Sequence, residues 1–110
     1  MYARVWRFGI LPGRADEFIA ILKAAVPAWR KMSGFRSLVV MRTGPGDMLD
    51  GTVVSMWDSL DDLRASENST FRAIVVRLLS CCEPHPVMRE EEVLISEFAS
   101  AEESGITAIG

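Results

Sequence analysis

The chain has 110 residues, 49% hydrophobic and 25% charged, with a net charge of −3 and a pI of about 5.1. That length accounts for one domain, and the acidic balance gives no electrostatic drive toward nucleic acid. No apolar run reaches the length of a membrane-crossing helix, and the opening "MYARVWRFGI" lacks the basic-then-apolar layout of a secretory leader, so a cytoplasmic location is expected.

The stretch "YARVWRF" alternates in a strand-like way and is expected to stop at Gly9. "LPGRADEF" then opens a helix: Pro12 and Gly13 turn the chain, and Asp16 and Glu17 place negative charge against the helix dipole. Phe18, Ile21, Leu22, Ala25, Val26 and Trp29 recur at helical spacing. Pro27 is expected to kink or loosen this helix, and Gly34 to cap its end. "FRSLVVMRT" reads as a second strand, "GPGDMLDG" as a turn-rich connection, and "TVVSMW" as a third strand.

Asp58 or Ser59 caps a short helix with Asp61 and Asp62 in its first turn. A break near 66–69, with Asn68, Ser69 and Thr70 as a second cap, precedes a longer helix from Thr70 to about Cys82. Its apolar stripe is Phe71, Ile74, Val75, Leu78 and Leu79. "EPHP" cannot continue a helix. "VMREEEVLISEF" supplies the fourth strand, most securely over Val93–Phe98. The expected organisation is one domain over 1–98 and a C-terminal tail over 99–110.

The order β-α-β-β-α-β is the ferredoxin-like α+β arrangement, a four-stranded antiparallel sheet with two helices on one face. Val39 and Met41 oppose Leu38 and Val40, and Val53 and Trp57 oppose Val54 and Met56, so both faces of the central strands are apolar. Two helices cover only one face. A second copy of the same sheet is the simplest cover for the other, which predicts a homodimer. Val54→Asp or Val40→Asp should then dissociate or unfold it, because an unpaired buried charge costs several kcal/mol.

"LPGRADEFIAIL", "MSGFRSLVV" and "VVSMWDSLDDLRAS", in that order and spacing, resemble the antibiotic-biosynthesis-monooxygenase-like family of the dimeric α/β barrel superfamily, over about residues 2–98. The resemblance implies a dimeric α/β barrel and oxygenation without a cofactor. In that chemistry an electron-rich phenol or anthrone-like substrate loses a proton and its anion passes an electron to O₂. Such a site needs an apolar pocket, a proton acceptor or anion stabiliser, and exclusion of bulk water. Trp57 is a candidate wall for that pocket, closing a cavity between the sheet and the second helical segment. Arg7, Arg42 and Arg72 are candidate anion stabilisers, and Asn68 is a candidate for orienting a hydroxyl.

Each candidate also has a structural reading. Trp57, like Trp6 and Trp29, fits core packing, the arginines fit solvated or paired positions, and Asn68 fits a helix cap. His85, the only histidine, fits an exposed loop between Pro84 and Pro86. Glu90–Glu92 fit a solvated acidic run. Cys81 and Cys82 fit small buried or half-buried positions, and no Cys/His spacing points to a metal.

The haem-degrading branch of the superfamily carries an Asn on the first strand and a Trp and a His on the second helix. Those positions fall near Trp6, Ser66 and Val76 here, so no haem is expected. The alternatives are a non-catalytic dimer that binds an apolar small molecule or is structural, and an isomerase or lactone-processing enzyme. The structural dimer predicts a sheet–helix layer filled by Trp57, Phe71, Ile74 and Leu78; the isomerase needs a carboxylate or His acid/base pair inside a cavity.

Overall fold

The alternating and helical patterns above become seven elements in the computed structural model, which describes residues 1–43 and 49–97. They are β1 (Tyr2–Ile10), α1 (Ala15–Arg30), β2 (Phe35–Thr43), β3 (Leu49–Trp57), α2 (Leu60–Ala65), α3 (Ser69–Leu79) and β4 (Val87–Glu92). The sheet order is β2-β3-β1-β4, with every neighbouring pair antiparallel. This is the expected ferredoxin-like α+β fold. Residues 44–48, "GPGDM", and everything after Glu97 lie outside the described residues, and with them the expected turn-rich connection, Phe98, the tail and the expected 98/99 boundary.

The period of two sorts β1 cleanly. Trp6, Phe8 and Ile10 face the helices and are buried. They form one cluster with Val53 and Trp57 of β3, with Phe18, Ile21, Leu22, Ala25 and Trp29 of α1, and with Leu63, Phe71 and Leu78 of α2 and α3. Rings interlock through it: Trp6 stacks on Phe71 at 5.1 Å, and Phe8 meets Phe18 edge-on at 5.3 Å. On the opposite face, the register pairs Val5 with Val54 and Val39 with Val54. Val39 and Met41 remain 47% and 46% exposed there, so the free apolar face exists. Val40 does not belong to it: it pairs with Val53 on the helix side and packs against the core. Only Val54 therefore tests a contact through the free face.

The helix starts follow their caps. The Ser59 hydroxyl accepts from the Asp62 amide at 3.0 Å, and Asn68 Oδ1 accepts from the Phe71 amide at 3.0 Å. Three local expectations change. β1 runs through Gly9 to Ile10 because it stays paired with β3 as far as Ile10↔Leu49. α1 runs to Arg30 with Pro27 inside it. The C-cap of α1 is Lys31, and Gly34, at φ +74°, instead serves the turn into β2. A side chain there would collide with Asp62. α3 ends at Leu79, leaving Cys81 and Cys82 in the following turn, where Ile10 and Cys82 form an isolated bridge.

The fourth strand is displaced most. β4 is "VMREEE", exposed along its whole length, whereas Val93–Glu97 forms no strand. Pairing with β1, from Arg7↔Val87 to Tyr2↔Glu92, holds it in place, and burial contributes little.

Candidate functional site

Antiparallel pairing of β1 with both β3 and β4 brings chemistry to the sheet's free face. Arg7 lies opposite Thr52 on one side and Val87 on the other, and Gly9 lies opposite Asp50. The chain leaving α3 returns to the same place: the Glu83 amide donates to Gly9 O at 2.7 Å. The absence of a side chain at Gly9 leaves room for Glu83, whose Oε2 would lie 2.9 Å from a Cβ at that position. His85 then takes φ +67°, an uncommon left-handed conformation for a non-glycine residue that costs roughly 1–3 kcal/mol. The chain turns there into β4.

The result is a cleft of about 430 Å³ lined by Arg7, Asp50, Thr52, Glu83, His85 and Val87, among others. A neighbouring groove of about 260 Å³ is lined by Val5, Arg7, Arg89 and Glu91, so Arg7 belongs to both. One cation, two carboxylates and the only imidazole thus share one concave surface. Such a set can accept a proton from an acidic C–H or O–H and hold the resulting oxyanion. Among the described residues no three His, Cys, Asp or Glu side chains group to hold a metal ion.

Of the five side chains chosen from sequence, the cleft contains Arg7. Trp57 is fully buried, donates its Nε1–H to Ser55 Oγ at 3.0 Å and meets Phe35 edge-on at 5.4 Å. With Phe71 and Leu78 buried and Ile74 packed against them, the sheet–helix layer around it is filled. Asn68 caps α3 and is exposed, as are Arg72 on α3 and Arg42 on β2. Sequence reasoning passed over Glu83, Asp50 and Thr52. The only signal was "EPHP", a histidine bracketed by prolines and read as a helix stop.

It also passed over Arg4. This guanidinium is 2% exposed on the helix side of β1. Its Nη2 donates to Leu63 O at 2.8 Å, to Ser66 Oγ at 3.1 Å and to Glu67 Oε1 at 3.2 Å. Its Cζ sits 4.7 Å from the Phe71 ring centre. Burial pulls the guanidinium below its ordinary pKa, opposed chiefly by Glu67. Arg4 therefore ties β1 to the break between α2 and α3. The Cys82 thiol is pushed up to about 11, first by burial and then by Cys81, which makes it a poor nucleophile near neutrality.

The haem-degrading positions hold other side chains in other settings: Trp6 stacks in the core, Ser66 is bound to Arg4, and Val76 is 69% exposed on α3. Titration with haem is expected to give no one-to-one Soret shift, and added reductant no ring opening. Either signal would overturn the placement of those three positions.

Residues 1–76 match the family model described as antibiotic biosynthesis monooxygenase. No curated protein matches the chain by sequence. Among solved structures it resembles the NE2512 protein of unknown function from Nitrosomonas europaea, with a TM-score of 0.74 and 17% identity over 90% of this chain and 94% of that one. A mutant of SnoaB, a cofactor-independent oxygenase from Streptomyces nogalater, aligns with a TM-score of 0.72 and 17% identity over 86% and 94% of the two chains. A conserved protein from Methanosarcina mazei Go1 aligns with a TM-score of 0.70 and 17% identity over 82% and 90%. At these identities the structures speak to the fold alone.

Proposed function

The chain belongs to the antibiotic biosynthesis monooxygenase family, and from that membership we propose that it is a cofactor-independent monooxygenase of electron-rich aromatic or polyketide-like small molecules, working in the Arg7 cleft. The observation that carries this reading is the meeting of Arg7 with Glu83 and His85 on one cleft. In the proposed reaction Glu83 or His85 takes a proton from an anthrone-type CH₂ group, and Arg7 holds the enolate or phenolate oxygen. The anion gives one electron to O₂. The resulting radical and superoxide combine at carbon, and the peroxide formed loses water to leave a carbonyl. Overall, R₂CH₂ and O₂ become R₂C=O and H₂O, so the substrate supplies every electron that O₂ accepts.

Oxygen uptake with a panel of hydroquinones and anthrones tests this. Wild type should exceed the uncatalysed rate. Arg7→Ala should slow turnover about tenfold, the equivalent of one charge-assisted contact of about 1.5 kcal/mol. No uptake above background with any panel member would sink the proposal.

Two specific observations favour other readings. The Glu83/His85 pair is the acid/base set that a proton-shuttling isomerase requires, and turnover without O₂ would identify one. The filled sheet–helix layer is what a non-catalytic dimer predicts, and substrate binding without turnover would point there.

The proposal includes a homodimer packed through the free sheet faces and a cytoplasmic location. No helix among the described residues is long and apolar enough to cross a membrane. Light scattering at micromolar concentration should give the mass of two chains. Val54→Asp, half-buried at the centre of that face, should reduce it to one or unfold the chain. A single-chain mass for the wild type would refute the dimer.

A further inference from the structure

Position on the sheet sets the Arg7 cleft apart from an ordinary surface hollow. Its floor residues Arg7, Gly9, Asp50 and Thr52 lie on the same face as Val5, Val54, Val39 and Met41. Through Arg7 it continues into the groove beside Val5, Arg89 and Glu91. A cover that extends from the apolar middle along β1 past Val5 therefore passes over Arg7.

The charges along this face indicate what that cover is. Among the described residues, Arg7 and Arg89 form no ion pair, and Glu91 lines the groove beside them. The face thus has an apolar middle and a rim with both signs of charge. A two-fold-related copy can set its apolar middle on this one while bringing its Glu91 to these arginines, the self-complementarity that an isologous contact requires.

We infer that the Arg7 cleft is a composite site, open in the single chain and completed when a second copy packs on the free face and roofs it. This rests on the oxygenase reading and the dimer proposed above, and adds that ligand binding and dimerisation are linked. A single chain leaves the cleft open to water, whereas proton abstraction to a stabilised anion gains from its exclusion. A ligand that binds only the dimer must in turn tighten the dimer by mass action.

Alizarin, a coloured dihydroxyanthraquinone that needs no turnover to be detected, serves as the probe. In a dilution series of the wild type, alizarin affinity per chain should fall as the dimer dissociates, and saturating alizarin should lower the dimer dissociation constant about tenfold. The double variant Val39→Lys/Met41→Lys alters residues already about half exposed on the single chain and outside the cleft. It should be a folded monomer by circular dichroism and light scattering, and should bind alizarin at least tenfold more weakly. A folded monomer with wild-type affinity, a variant that stays dimeric, or wild-type affinity that is constant through dissociation would each overturn the composite site alone. Absence of alizarin binding by the wild-type dimer would overturn the oxygenase reading and this inference with it.

Discussion

Trp57→Ala is expected to lower folding stability by about 3–5 kcal/mol, the cost of truncating a tryptophan in solid core. The residue is fully buried, meets Phe35 edge-on and hydrogen-bonds to Ser55. It lies opposite Tyr2 on one side and Phe35 on the other, at the end of β3 where three strands come together. A wall of a water-filled pocket would lack contacts on one side and lose appreciably less. Trp57→Phe should keep most of the packing but remove the Nε1 donor, leaving the buried Ser55 hydroxyl without it at a cost of about 1–3 kcal/mol. Urea denaturation of both variants decides the matter. A loss below about 1.5 kcal/mol for the alanine variant would restore Trp57 as a pocket wall.

The second large effect concerns Arg4 and Glu67, and the expectation is an asymmetry. Glu67→Ala should cost about 3 kcal/mol, because it strands a buried guanidinium; Leu63 O and Ser66 Oγ still accept from it, which keeps the loss at the lower end of the range for a broken buried pair. Arg4→Met removes the charge and keeps similar bulk against Phe71. It leaves Ser66 Oγ and Leu63 O still hydrogen-bonded to each other, and it frees Glu67, whose side chain is 38% exposed and can resolvate. That variant should stay within about 1 kcal/mol of wild type. Chemical denaturation of the two variants and the double variant gives the coupling directly. If Arg4→Met proves the costlier change, the pair stabilises the fold by more than its own desolvation, and the argument from the buried charge fails.

The sequence displayed the fold where local chemistry and burial agree. Ser59 and Asn68 announced both later helices because a side-chain oxygen before an apolar stripe has one common use. β2 was legible to the residue because its alternation is bounded in sequence by Gly34 and by the "GPG" that follows Thr43. β4 was misplaced because an edge strand held by backbone pairing carries no hydrophobic signature, while the apolar "VLI" beside it drew the assignment. Leu94 and Ile95 are in fact 85% and 88% exposed. The candidate site was legible only at Arg7. Its other members meet through register: nothing local to Gly9, Asp50 or Glu83 says that they come together. Arg4 was hidden for a related reason. In an alternating strand a charged residue reads as outward, and only the tertiary structure shows the acceptors that keep it inside.

The exposed β4 has a consequence for how copies meet. Among the described residues it pairs on one side only, with β1. Its outer edge offers unpaired backbone to any passing strand, the usual template for open-ended stacking. Yet Glu90, Glu91 and Glu92 follow one another along it. A second β4, docked on that edge in any register that sets the glutamates opposite one another, would bring like charges together across the ladder. Those pairings are repelled, while the uncharged middle of the free face meets no such penalty. The acidic run thus narrows the ways in which this edge can pair and leaves open the contact that closes after two chains.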